Sequence, residues 1–328
     1  MSTDKTELLP EAVEVLVVGA GMAGLTAARV LTGAGYDVLV VDKGWNPGGR
    51  MATRRNGDAA HDHGATFIAG VGRRFSEELH GWREAGAASP WEGLEEGMTQ
   101  WRGLPDMRGL SHHLALGLPI RTRTRLVSVA SRGGQWMAAT EDGATVMAGS
   151  VLLTPPVPQS LALLDAGETP LPERMRTQLD QVAYQRCLVV MAVPENPAPA
   201  TPPGLWEPTD GPIARLVDER TKGTSGVPAF TIHARADYSL ERWDDDRDEV
   251  AAELLAEAEP RLGSRVKHHQ IHGWRYSRPE RTWPQPCLVS KEHPPLVLAG
   301  DAFGGPDVPG AHRSGRAAAE ALSRLVTK

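Results

Sequence analysis

Between Val13 and Met51 the chain reads VEVLVVGAGMAGLTAARVLTGAGYDVLVVDKGWNPGGRM. An apolar run, Val13 to Val18, enters Gly19-Ala20-Gly21-Met22-Ala23-Gly24. A helical run follows to about Leu31, Gly33 and Gly35 punctuate, and a second apolar run, Val38 to Val41, ends in Asp42. Strand, glycine-rich turn, helix, strand and acid, in that order, form the dinucleotide-binding fingerprint in its proper context. The acid falls close to the roughly 20-residue offset that the motif requires. Gly19 allows the tight turn, Gly21 lets backbone N–H groups approach a pyrophosphate, and Gly24 lets the helix pack on the strand. The helix N-terminus, with its free N–H groups and dipole, favours negative charge there. Asp42 is placed to accept hydrogen bonds from ribose hydroxyls. Glycine turns alone are common; the two strands and the acid make this one specific.

A chain of 328 residues can bury a large core and is expected to form two subdomains sharing one interface. Its net charge of −6, with both signs mixed, argues against a nucleic-acid surface. Arg121, Arg123 and Arg125 have the period of a strand face and read as a solvated edge; Arg54-Arg55 and Arg73-Arg74 also read as surface. There is no signal-type apolar N-terminus and no apolar run of about 18 residues, so neither export nor a membrane span is expected. The first twelve residues read as a polar tail, and the expected address is cytoplasmic. Two cysteines, Cys187 and Cys287, argue against a disulfide scaffold and a cysteine metal site, and no metal is expected. No Ser-His-Asp set, HExxH pattern or phosphate-binding P-loop is evident.

Further segments carry a resemblance. Gly48-Gly49-Arg50-Met51-Ala52-Thr53-Arg54 follows the first unit, and Leu296-Val297-Leu298-Ala299-Gly300-Asp301 comes near the C-terminus. After it stand Gly304-Gly305, Val308-Pro309-Gly310-Ala311 and a helical run from His312 to Leu325. In this order they resemble the FAD-dependent amine oxidase superfamily. Asp58 to Phe67 resembles that family's D-x-G-A-x-F/Y element beside the flavin. Trp101 to Met107 resembles W-x-G-x-P-x-M, and Val151 to Gln159 resembles a strand ending in P-x-P-Q. Phe230 to Ala234 and His272 to Tyr276 resemble two substrate-domain strands. The set is similar to the renalase branch, especially its bacterial members. The chain departs from it at Val308-Pro309-Gly310-Ala311, where E-G-A is usual, and at His312-Arg313 just after.

The resemblance implies an α/β architecture: a Rossmann-like, three-layer ββα FAD-binding domain with a second, mixed α+β substrate domain, like amine oxidases and p-hydroxybenzoate hydroxylase. The FAD-binding parts are expected at 12–70, 108–157 and 288–328, and the substrate parts at 71–107 and 158–287. FAD is expected to be noncovalent, with no cysteinyl link and none through His61 or His63. Its expected contacts are Gly19, Gly21, Met22, Ala23, Gly24, Asp42, Lys43, Gly49, Arg50, Met51, His63, Gly64 and Ala65. Val127 joins them through its backbone at the adenine end. Gly300, Asp301, Val308, Pro309, Gly310 and Ala311 join them from the C-terminal third.

Within the middle of the chain, Leu118 to Val129 and Gln135 to Leu153 read as strands with turns at Gly133-Gly134 and Asp142-Gly143. Met175 to Val182 reads as a helix and Cys187 to Val193 as a strand. A proline-rich connection runs from Pro194 to Pro212, then strands are expected around Ile213–Asp218 and Ala229–Ala234. Asp244 to Asp246 reads as a helix N-terminus rather than a metal site. Strand alternation puts His272, Trp274 and Tyr276 on one face and Arg275 on the other. With the resemblance, the expected substrate pocket is Trp274, Tyr276, His233, Trp101 and Thr66, against a competing role for Tyr276, His233 and Trp101 as interior packing. No catalytic side chain is assigned, because the flavin carries the chemistry. Three functions remain open. One is a renalase-like oxidase acting on 2- or 6-dihydro isomers of NAD(P), with O2 as acceptor. Another is an oxidase or dehydrogenase for an amine or other small molecule. The third is a flavin-binding protein without turnover.

Overall fold

Alternate residues of the first strand, Ala12–Val18, feed two different cores. Val15 and Val17 pack with Leu25 and Leu31 of the helix Met22–Gly33 and with Leu322 of the helix Asp307–Leu325. Leu16 and Val18 pack with Val129, Trp136 and Leu153 on the other side. A strand covered on both faces must be apolar throughout, which explains the unbroken run that the sequence shows. The computed structural model describes residues 9–70, 72–92, 100–196, 199, 202–291 and 294–326. Most of the expected polar tail, residues 1–8, lies outside the described residues.

The larger sheet has eight strands and draws them from separated stretches of chain. Its path runs Leu288–Ser290, Leu296–Leu298, Thr145–Leu153, Ala12–Val18, Val38–Val41 and Ile120–Arg121. Ala12–Val18 pairs in parallel with Val38–Val41 on one side and with Thr145–Leu153 on the other. Thr145–Leu153 then pairs in parallel with Leu296–Leu298. Its first half also pairs antiparallel with Gln135–Thr140, which pairs with Leu126–Arg132. This antiparallel meander forms a β layer over one face of the parallel strands, and the two long helices cover the other. The result is three layers, ββα.

The second sheet is antiparallel, in the order Leu205–Trp206, Ile213–Asp218, Phe230–Ala234, Tyr184–Pro194, Val266–Pro279. The helix Arg247–Leu262 covers it, burying Val250, Ala251, Leu254 and Ala258 against Leu188, Val190 and Ile232. Asp246 caps that helix by accepting from the N–H groups of Asp248 and Glu249 at 2.9 and 3.1 Å, so the acidic run is a helix start. A hairpin, Thr53–Asn56 with Ala59–Asp62, and a three-stranded sheet of Ile68–Ala69, Gln100–Gly103 and Ala88–Pro90 complete the strands among the described residues.

One strand reading needs correcting. Leu118 to Val129 is not continuous: Ile120–Arg121 and Leu126–Arg132 are separate strands in different layers. Between them the Arg123 N–H bonds the Gly44 carbonyl at 2.7 Å and the Thr124 N–H bonds the Asp42 carbonyl at 2.8 Å. Arg123 takes φ +54° to do so. Arg121, Arg123 and Arg125 therefore share no strand face, although Arg123 and Arg125 are exposed. Among the described residues no helix is long and apolar enough to cross a membrane.

Candidate active site

The glycine turn is built as its spacing demands. Gly19 sits at φ +99°, where a side chain is strained, and a Cβ there would stand 2.5 Å from Thr154 Oγ1. A Cβ on Gly24 would overlap the Gly19 carbonyl oxygen, so this glycine is fixed by helix-to-turn packing. Gly21 differs: a Cβ there would meet no protein atom within 4 Å. Nothing in the protein requires glycine at that position, which fits a backbone kept bare for close approach of a phosphate. Asp42 accepts from the Ala20 and Gly44 N–H groups, both at 2.6 Å. A carboxylate has about four acceptor sites, so capacity remains for ribose hydroxyls.

The Gly48-Gly49-Arg50 segment docks on that turn. Gly48 donates to the Ala20 carbonyl at 2.7 Å and forms an isolated parallel bridge with Gly21. Arg50 then reaches the other end of the chain. Its two terminal nitrogens grip the Asp301 carboxylate at 2.6 and 2.7 Å, a bidentate pair. The Arg50 guanidinium also donates to the carbonyls of Tyr276 and Ser277 at 3.3 and 3.1 Å. One arginine thus ties together the turn element, the Gly300-Asp301 return and the strand Val266–Pro279.

The departure at Val308-Pro309-Gly310-Ala311 is accommodated locally. Pro309 falls in the first turn of the helix Asp307–Leu325, where a missing N–H removes no helical bond. A Cβ on Gly310 would overlap the Gly305 carbonyl oxygen, and one on Gly315 would overlap that of Ala23. Those glycines let the last helix press on the loop before it and on the first helix. Val308, Pro309 and Gly310 are buried, and Ala311 is half-buried.

The hairpin Thr53–Asn56/Ala59–Asp62 delivers His63-Gly64-Ala65-Thr66 to the second sheet. Gly64 is required, because a Cβ there would overlap the Arg50 carbonyl oxygen, which accepts the Ala65 N–H at 2.8 Å. Trp274 donates its indole N–H to the His63 carbonyl at 2.8 Å. The two rings stack at 5.4 Å between centroids and 27° between planes. His272 stands edge-on to both, 4.5 Å from Trp274 and 5.1 Å from His63. His233 Nε2 lies 3.1 Å from the Gly64 carbonyl. Trp274 and His272 remain half-exposed, so one side of the cluster is open.

These histidines are neutral. Burial, with the nearby positive charge of Arg215, pushes His233 down to about 3. Burial, followed by the neighbouring His272 and Arg54, pushes His63 down to about 3. His272 is lowered by burial and then by Arg54. The carboxylate beside them, Asp62, turns away. It accepts from Thr53 Oγ1 at 2.5 Å, Met107 N–H at 3.1 Å, Lys222 Nζ at 2.7 Å and Thr224 Oγ1 at 3.3 Å.

The expected site residues fall into groups. Gly19, Gly21, Met22, Ala23, Gly24, Asp42, Gly49, Arg50, Met51, Gly300 and Asp301 lie on the turn and the segments docked against it. His63, Gly64, Ala65, His233 and Trp274 gather at the hairpin exit. Thr66 is buried there and accepts from Arg215 at 3.0 Å. Tyr276 leans edge-on against Tyr184 at 5.5 Å, one alternate position further along the strand. Lys43 is exposed and bonds Gln159 at 3.2 Å, and Val127 points its side chain outward. Trp101 is buried in the main core, edge-on to His80 at 5.6 Å, the interior packing weighed against its pocket role, and no ring contact joins it to the Trp274 cluster among the described residues. His80 belongs to the helix Arg73–Glu84, which packs over this face of the short strand Gln100–Gly103.

Sequence reading missed Arg54. It was expected at the surface, yet it is half-buried on the hairpin face that carries His61 and His63. It also missed the buried set of Asp62, Lys222 and Glu219, in which Lys222 Nζ lies 2.7 and 3.1 Å from the two carboxylates. The available signal for Arg54 was the hairpin register; for Lys222 and Glu219, far away in sequence, there was none.

Comparison with known proteins agrees with this geometry. Residues 85–323 match the family described as "Flavin containing amine oxidoreductase", and residues 17–79 match an "NAD(P)-binding Rossmann-like domain". An "L-amino-acid oxidase" of Daboia russelii is 55% identical over 42 residues, which is 13% of this chain and 8% of the relative. A "Putative flavin-containing monoamine oxidase AofH" of Mycobacterium tuberculosis (strain ATCC 25618 / H37Rv) is 49% identical over 59 residues, 18% of this chain and 13% of the relative. The matched stretches therefore span only a small part of these relatives. Among solved structures, a "Putative protoporphyrinogen oxidase from Exiguobacterium sp. 255-15" superposes with a TM-score of 0.75 at 14% identity, covering 97% of this chain and 99% of the other. Wild-type putrescine oxidase bound to putrescine superposes with a TM-score of 0.65 at 14% identity, covering 95% and 99%. At such identities the likeness shows the fold alone. The family match covers most of the sequence, so the chain belongs to the flavin-containing amine oxidoreductases, with FAD as its cofactor.

Proposed function

We propose that this chain is an FAD-dependent oxidase that takes a hydride from a misreduced 2- or 6-dihydro isomer of NAD(P) and passes the electrons to O2. The balance is one dihydronicotinamide, one O2 and one proton in, one NAD(P)+ and one H2O2 out. Bound FAD supplies the hydride acceptor at N5 of its ring. The protein's own residues stack the substrate, align it and keep water away.

The observation that carries this reading is the cluster of Trp274, His272 and His63. It offers flat ring surfaces with one side open, held in place by the indole bond to the His63 carbonyl. Among the described residues it offers no strong base: burial pushes His63 and His233 down to about 3, and Asp62 is committed to Lys222 and Thr53. A dihydronicotinamide that loses hydride becomes an aromatic cation directly, so it needs none. Oxidation of an amine is the second reading, favoured by family membership and the aromatic walls. An amine must first shed its proton, and histidines whose charged form is disfavoured by burial are weak acceptors for it.

The test is an anaerobic mix of the yellow protein with a chemically reduced NAD(P) isomer mixture, beside pure 4-dihydro NADH and NADPH. Rapid bleaching of the flavin by the mixture alone, with colour and peroxide returning on aeration, is the expected result. No bleaching by any of them removes the reading and leaves the amine alternative.

A further inference from the structure

Arg54 pairs across the hairpin with His61. Cross-strand partners share a face. The ladder continues through the His63 N–H to the Ala52 carbonyl at 3.2 Å, so His63 is the diagonal neighbour of Arg54 on that face. Diagonal neighbours stand about 7–8 Å apart, within reach of a long side chain. Thr53 and Arg55 take the opposite face, where they bond Asp62 and Asp106. The Arg54 side chain thus lies beside the His63–His272–Trp274 cluster, and it is felt as positive charge by both histidines.

Arg54 is half-buried, and its side chain has no ion pair or hydrogen bond among the described residues. The other arginines around the site are committed. Arg50 holds Asp301, Arg215 holds Glu207 and Thr66, and Arg102 donates to the Gly223 carbonyl. The carboxylate that reaches His63, Asp62, is paired with Lys222. Arg54 is therefore the guanidinium beside the cluster that has no ion pair among the described residues. Such a group, planar and rich in donors, recognises carboxylate and phosphate oxygens, and it repels ammonium ions.

We propose that Arg54 is the anion-recognising residue of this pocket, and that the substrate is a flat-ringed molecule bearing a phosphate or carboxylate rather than a protonated amine. The inference deepens the function proposed above and rests on its placing the substrate at the Trp274 cluster. In a dihydronicotinamide dinucleotide the ring meets that cluster and a phosphate of the chain behind it meets Arg54.

The FAD-loaded protein is titrated with benzoate, phenyl phosphate and benzylamine while the flavin absorbance is followed. The anions are expected to perturb the spectrum at lower concentration than benzylamine, and the tighter of the two identifies the anionic group. Arg54→Gln should raise the anion dissociation constant roughly tenfold while FAD content and the spectrum of the free protein stay unchanged. Arg54→Lys should restore part of the loss. In anaerobic mixing, Arg54→Gln should weaken the phosphate-bearing dihydro isomers and leave isomers of the phosphate-free nicotinamide riboside unaffected. Benzylamine binding as tightly as the anions, or anion binding indifferent to Arg54→Gln, overturns the proposal. So does loss of FAD from that variant, which would assign Arg54 to the cofactor. If dihydronicotinamides leave the flavin oxidised while anion binding still depends on Arg54, the anion site stands and the dihydronicotinamide reading falls.

Discussion

Trp274 makes a 2.8 Å bond from its indole N–H to the His63 carbonyl and presents a ring face beside it. The bond fixes the ring; a fixed ring is what alignment of a flat substrate requires, because small misplacements at a reacting centre cost large factors in rate. Trp274→Ala is expected to slow flavin reduction by about 10- to 100-fold while the protein keeps its FAD. Trp274→Phe, which retains a ring but not the donor, should fall between. Stopped-flow reduction of both variants, with FAD content measured on the same samples, checks this; a wild-type rate for Trp274→Ala would move the substrate elsewhere. The alternation that put His272 and Trp274 on one face was legible in the sequence, since a period of two needs no tertiary information. Trp101 was not, because the same residue type serves a core or a pocket and only the packed helix Arg73–Glu84 decides which.

At the scale of elements, the hairpin Thr53–Asn56/Ala59–Asp62 is held to the short helix Glu219–Lys222 by charges removed from water. Lys222, Asp62 and Glu219 have no exposed side-chain surface. Glu219 Oε1 accepts the Asp62 N–H at 3.0 Å and the Thr231 hydroxyl at 2.7 Å, and burial pushes its carboxyl up despite the lysine. A buried set of this kind adds little over an apolar replacement, but removing one member strands the others. Lys222→Met is therefore expected to cost about 3–5 kcal/mol, read as a fall of several degrees in the melting temperature of the FAD-loaded protein. A variant that melts with the wild type would show that the carboxylates take up protons at negligible cost. None of this was legible beforehand, because Lys222 and Asp62 lie 160 residues apart in sequence. The broken strand at 122–125 was hidden for the same reason: its turn answers to Gly44 and Asp42, not to its own residues.

For the whole molecule, the decisive fact is that both ends of the chain meet. Leu296–Leu298 joins the sheet begun by Ala12–Val18 through the shared neighbour Thr145–Leu153, and the last helix packs on the first with Gly315 against Ala23. The dinucleotide-binding unit was legible in the sequence, because glycines at fixed spacing have few physical uses and an acid at the end of a second strand narrows them further; the three-layer fold and FAD were legible only through the resemblance carried by Gly48-Gly49-Arg50 and Gly300-Asp301. The substrate was not, since it depends on side chains that converge from the hairpin, the second sheet and the Arg50 anchor. Arg50 and Asp301 join the two ends, 2.6 Å apart, at the mouth of the glycine turn. We propose that one FAD is held jointly by these ends. The most direct measurement is the FAD-to-protein ratio after gel filtration, for the wild type and for Asp301→Ala. A ratio near one for the wild type and a largely colourless, folded variant that takes up FAD only weakly is the predicted result. A variant that keeps its full FAD, or a wild type that binds none, would contradict it.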